Sequence, residues 1–96
     1  MSVGSKYLTA DGIIGGSGLP VKIYSVTALS GGTAGKVVLR NGSTAAGTIY
    51  VNALCAVVSQ TNTFNFESGT LFPDGCFFDK DANVTSVVVT YEQLGS

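Results

Sequence analysis

The β-branched and aromatic residues of this chain fall in short alternating runs, and Gly, Asn or Asp separates one run from the next. Alternation with a period of two puts every second side chain on one face of a strand. No stretch makes a convincing helical pattern. Thirteen glycines and two prolines punctuate the runs, as a sandwich or barrel requires. The expected fold is therefore all-β: a single-domain antiparallel β-sandwich or partly closed barrel of about seven or eight short strands.

Residues 1–18 read as an N-terminal arm and flexible Gly-rich loop, with a weak strand at Lys6–Thr9, and residues 19–96 as the domain. Leu19–Leu29 is the first long strand. Its alternation slips at Ile23-Tyr24, where two large residues adjoin and a β-bulge would restore the pattern. Lys36–Arg40 is the next strand, ended by the turn-forming Asn41-Gly42. Gly47–Leu54 should place Ile49 and Val51 on one face, with Thr48, Tyr50 and Asn52 on the other. Ala53–Val58 reads as a buried strand or a continuation of the previous one. Thr61–Phe66 and the short Thr70–Phe72 precede a turn at Pro73-Asp74-Gly75. Cys76–Phe78 is short and apolar, and Asp79–Asn83 is a polar loop. Val84–Glu92 closes the domain, with Val87, Val89 and Tyr91 inward and Ser86, Val88 and Thr90 outward. Consecutive strands are expected to pair mostly as hairpins.

Only 11% of the residues are charged, so Ser, Thr, Asn and Gly must cover much of the surface, which makes it cheap to desolvate against protein. The five basic residues are scattered and leave no footprint for nucleic acid. No apolar run approaches the ~18–20 residues of a membrane span, and the start lacks the apolar core of a signal peptide. Cys55 and Cys76 could pair, but without a secretion signal two reduced, buried thiols are the expectation.

The chain has no His, which removes the usual general base near neutral pH and any Ser-His or Cys-His arrangement. Glu67, Asp74, Asp79 and Asp81 all sit in or beside expected turns, where a carboxylate is ordinarily solvated. Asp79-Lys80-Asp81-Ala82-Asn83 opens like a calcium loop, but Val84 stands where the motif needs Gly and Thr90 where it needs Glu. It reads as a polar hairpin turn. No catalytic residue, cofactor or metal ligand is assigned, and the chain is not expected to be an enzyme. Tyr7, Tyr24, Tyr50 and Tyr91 are the residues to weigh for contacts. Tyr50 lies on the polar side of its strand, and the outward Val88 leaves a moderately sticky face. Tyr50, Tyr24 and Val88 are therefore the candidate protein-contact residues.

Three runs, VVLRNGSTAAGTIYV (37–51), TFNFESGTLFPDGCFFD (63–79) and NVTSVVVTYE (83–92), follow a recognisable order. The chain resembles, over residues 20–92, small all-β structural proteins of tailed bacteriophage virions. In those, a V-x-L-R-D/N-G hairpin precedes a Phe-bearing strand, a G-x-x-F-x-x-G segment and a final V-T-V-x-Y strand; the corresponding residues are Val37–Gly42, Gly69–Gly75 and Val87–Tyr91, with Val88 where the last pattern has Thr. The resemblance implies a virion protein assembled in the host cytoplasm, first of all a head decoration (cement) protein. Its partner would be the major capsid protein or another virion protein, and no nucleic acid or membrane is implied. A trimer or another small cyclic homo-oligomer is expected. The rival expectation is a tail-fibre or knob-like module that touches a host glycan.

Overall fold

The computed structural model describes residues 2–56 and 59–94. Among them are eight strands: β1 (Ser2–Leu8), β2 (Gly12–Ile14), β3 (Val21–Ser30), β4 (Gly35–Asn41), β5 (Thr48–Cys55), β6 (Thr61–Phe72), β7 (Cys76–Lys80) and β8 (Val84–Gln93). They form two antiparallel sheets of four, ordered β1-β8-β3-β6 and β2-β7-β4-β5, so the fold is a sandwich.

Four pairings nest inside one another: β1 with β8, β2 with β7, β3 with β6 and β4 with β5. The chain is one long hairpin, turned at residues 42–47 and rolled so that alternate pairs fall in opposite sheets. Lateral pairings of β3 with β8 and of β4 with β7 then complete each sheet. Eight strands rolled this way make a jelly roll. The topology corrects the expectation of successive hairpins. Among the described residues, β4 and β5 are the one pair of consecutive strands that hydrogen-bond, and every other connection crosses between sheets. Crossing lets each strand bury its apolar face against the opposite sheet.

The core is continuous between the sheets. Phe72 and Phe78 are its largest fully buried side chains, packed among Ile14, Ile23, Leu39 and Val89. Each such side chain contributes about 1.5–3 kcal/mol on leaving water.

The segment expected as an arm supplies one strand to each sheet. β1 follows β8 from Ser2↔Gln93 to Leu8↔Val87, and Ile14 of β2 is fully buried. The loop after β2 is tied to the end of β8. Gln93 Oε1 accepts from Gly16 N, Gln93 Nε2 donates to the Pro20 carbonyl (3.1 Å), and Leu94 N donates to that same carbonyl (2.9 Å). The sheet pairing thus runs on past the boundary expected at residue 18.

Bulges set which residues face inward. On β3 the irregularity lies between Ile23 and Ser25, and burial resumes in phase at Val26 and Ala28. Opposite it, β6 loops out by four residues, Phe66 to Gly69, with Ser68 and Gly69 at positive φ. The two segments expected as separate strands, Thr61–Phe66 and Thr70–Phe72, are therefore one bent strand. On β5, Tyr50 is the extra residue, since Leu39 pairs with Val51 and Arg40 with Ile49. Ile49 consequently faces outward with Arg40 rather than inward with Val51. On β8, Ser30 pairs with Val84 and Leu29 with Ser86, so the strand shifts phase at Thr85. That shift turns Val84 inward, while Ser86 stays in register with Val88 on the outer face and is buried there. The continuation expected over Ala53–Val58 stops as a strand at Cys55, and Leu54 is exposed; Val57 and Val58 lie outside the described residues.

Candidate interaction surface

Cross-strand partners share a face, so the register defines the rows of side chains on the outside of the β1-β8-β3-β6 sheet. One row reads Tyr7, Val88, Thr27, Thr63. The next reads Ser5, Thr90, Ser25, Asn65. Neither contains a charge. Hydroxyl pairs staple both: Thr27 and Thr63 lie 3.3 Å apart, Ser5 and Thr90 3.4 Å. Val88 stands in the middle at 41% exposure, and Tyr7 at the β1 edge at 65%. A third row, Val3, Glu92, Lys22, Leu71, ends the face with one opposed pair of charges.

Tyr24 sits beside this third row, at the bulge. Its hydroxyl donates to Glu92 Oε1 at 2.7 Å. This hydrogen bond to a carboxylate, with burial and the Glu92 charge behind it, raises the Tyr24 pKa above 10.0. Ionising the phenol would place two anions together, so the proton is held. Glu92→Gln should bring the Tyr24 titration back toward 10.0, followed through the ring carbon shifts by NMR. An unchanged titration would show that the carboxylate is not what holds the proton.

The outside of the other sheet is built differently. Ile13, Phe77, Arg40 and Ile49 form a row across all four strands. Arg40 Nε donates to Asp79 Oδ2 at 3.0 Å, and Nη1 donates to the Gly47 carbonyl at 2.9 Å. The ion pair is partly exposed and worth under about 1 kcal/mol. Its importance is geometric, because the arginine stem lies between Phe77 and Ile49 and covers apolar surface there.

The carboxylates of the calcium-like string serve the fold. Asp79 holds Arg40, while Asp81 accepts from Asn83 N (2.8 Å) and Lys36 N (3.2 Å). The loop expected over Asp79–Asn83 is shorter: Asp79 and Lys80 end β7, and only residues 81–83 connect it to β8 in the other sheet, so the string closes as a crossover turn rather than a hairpin. Asp74 is paired with Asn41 in both directions, through Asn41 Nδ2 (2.9 Å) and its own backbone N (3.0 Å). Cys55 and Cys76 are free and buried. Burial pushes the Cys76 thiol up to about 12 and also raises Cys55, so both are protonated and poor nucleophiles at neutral pH.

The structure does not gather the three expected contact residues into one place. Tyr24 and Val88 share the outer face of the β1-β8-β3-β6 sheet, separated by the Ser5–Asn65 row. Tyr50 lies on the edge of the other sheet, where its ring rests on Phe72 with centroids 5.3 Å apart and planes inclined by 38°. Tyr91 packs against the core. Tyr7, Val3 and Leu71, all exposed on the Val88 face, were not singled out for contact from the sequence, apart from the general weighing of Tyr7. Alternation within Ser2–Leu8 would have aligned Val3 with Tyr7 had that segment been read as a full strand. No family model, curated protein or solved structure matches this chain.

Proposed function

We propose that this chain is a structural protein of a tailed-phage virion that decorates the head and clamps neighbouring capsid subunits. It would dock through the outer face of the β1-β8-β3-β6 sheet. The observation that carries this reading is that face: eight residues in two complete cross-strand rows, none charged, with Tyr7 and Val88 exposed among hydroxyl groups. Removing water from such a surface costs little, because no ion must be desolvated. Hydroxyls already joined across strands keep the face rigid, which lowers the entropy lost on docking. The jelly roll agrees with a virion role by analogy of fold alone, since the same architecture serves viral capsids and lectins. The phage assignment rests on the resemblance carried by Val37–Tyr91.

Heads of the phage that encodes this chain, prepared with and without it, test the reading. The expected result is stoichiometric occupancy of the head and a lower melting temperature for bare heads. Val88→Lys, which puts a charge at the centre of the face, should weaken rebinding to bare heads by at least about tenfold. Heads equally heat-resistant in both forms would overturn cementing. Glycan-array binding by the purified chain, with no binding to heads, would favour the tail-fibre reading instead.

A further inference from the structure

Asn41 to Phe66 is a run of 26 residues with no Asp, Glu, Lys, Arg or Pro. It spans β5 and the first half of β6, which are edge strands of the two sheets on the same flank of the sandwich.

Edges present unpaired backbone donors and acceptors, and proteins ordinarily blunt them. The opposite flank is blunted. β2 is three residues long, and Lys6 of β1 reaches across to donate to the Ile13 carbonyl of β2 at 2.8 Å. β6 is bent by its four-residue bulge, which carries Glu67. β5 has a single bulge at Tyr50, near its start, after which Val51 to Cys55 stay in register with β4. Its exposed apolar residues are Ile49 (43%), Tyr50 (44%) and Leu54 (56%).

We propose that β5 pairs antiparallel with β5 of a second copy about a two-fold axis, joining two four-stranded sheets into one of eight. Two features point to a second copy. A two-fold interface sets the same strand against itself, and a strand without charge does so with no like charges opposed. The flank is also large enough. The molecule measures 39 × 25 × 18 Å. With the β6 edges closing beside the β5 pair, the whole flank sets an upper limit of about 700 Å² per copy, or about 1,400 Å² in total, against the roughly 1,200–2,000 Å² of stable interfaces. The small cyclic oligomer expected from the sequence is on this reading a dimer. The inference goes beyond the virion assignment and does not depend on it.

Light scattering on the full chain should give twice the 9.8 kDa chain mass at about 0.1 mM. Leu54→Lys and Asn52→Lys, both at exposed positions, should each raise the dimer dissociation constant at least about tenfold. Circular dichroism and melting should show the fold intact. Val88→Lys, on the other sheet's face, should leave the dimer unchanged. Amide exchange at Val51–Cys55 should slow as concentration rises, while exchange in β1 should not. A monomer at about 1 mM, a trimer, or a dimer indifferent to both β5 variants would overturn the proposal. So would β5 amides that become protected only on phage heads, since the occupant would then be a capsid strand. The two readings fail separately: a Leu54→Lys monomer that still binds heads tests the dimer, and a Val88→Lys dimer that does not bind tests the docking face.

Discussion

Phe72→Ala should destabilise the domain by about 3–5 kcal/mol, read as a fall in urea midpoint at unchanged slope. Phe72 is fully buried at the end of β6, paired with Val21, where the chain leaves one sheet for the other. The turn beyond it is closed by Gly75 N donating to the Phe72 carbonyl at 3.3 Å. One side of its ring is covered by Tyr50 from the opposite sheet. Truncation therefore leaves a void at the junction of the two layers, and removes the support on which the β5 edge rests. Domains commonly have about 5–15 kcal/mol in total, and a small one sits low in that range, so the loss is a large share. Two neighbours separate the causes. Tyr50→Ala should cost about 0.5–1.5 kcal/mol, the worth of an aromatic pair at a wet edge. Leu71→Ala, next in the chain but exposed, should fall within about 0.5 kcal/mol of the parent. A Phe72→Ala midpoint close to that of Leu71→Ala would show that the layers do not depend on this ring.

The same elements show what the sequence makes legible. Fold class follows from alternation, because a period of two has no helical interpretation. The bulge at Tyr24 was legible since Ile23-Tyr24 breaks the alternation visibly. The bulge at Tyr50 was not: Thr48 to Asn52 alternates without fault, and the extra residue exists only relative to the register of β4. Ile49 was thus expected on the same face as Val51. Glu67-Ser68-Gly69 reads as a break between strands, whereas the strand continues beyond an outward loop that keeps Phe64 and Phe66 against the core. Val84 turned inward for a reason of the same kind, a phase shift at Thr85. Strand order was out of reach, since it depends on contacts between distant segments: β1 meets β8 about 80 to 90 residues away. The candidate face depends on that order. Tyr7, Val88, Thr27 and Thr63 come from four separate strands, and no local pattern marks them as neighbours.

Gly47→Ala should cost about 2–3 kcal/mol, although alanine ordinarily stabilises a chain relative to glycine. Gly47 closes the turn between β4 and β5, with its N donating to the Thr44 carbonyl at 3.2 Å. A Cβ there would run into the Asn41 carbonyl oxygen, with the Asn41 carbonyl carbon at 3.1 Å and Arg40 Cβ at 3.4 Å. The obstacle is backbone, so no rotamer change relieves it, and the pair Asn41↔Thr48 must open. Opening it also disturbs the Arg40 bond to the Gly47 carbonyl and, with it, the arginine stem beside Phe77. Gly32→Ala is the matched control, with open space around the added methyl and an ordinary φ. It should be neutral or stabilise by up to about 1 kcal/mol. Because the turn sets the angle at which β5 leaves, Gly47→Ala should also weaken pairing between copies, and Gly32→Ala should not. Equal stability for the two variants would mean that the turn can widen freely. The β5 edge would then not be held in the fixed geometry that a symmetric strand pair requires.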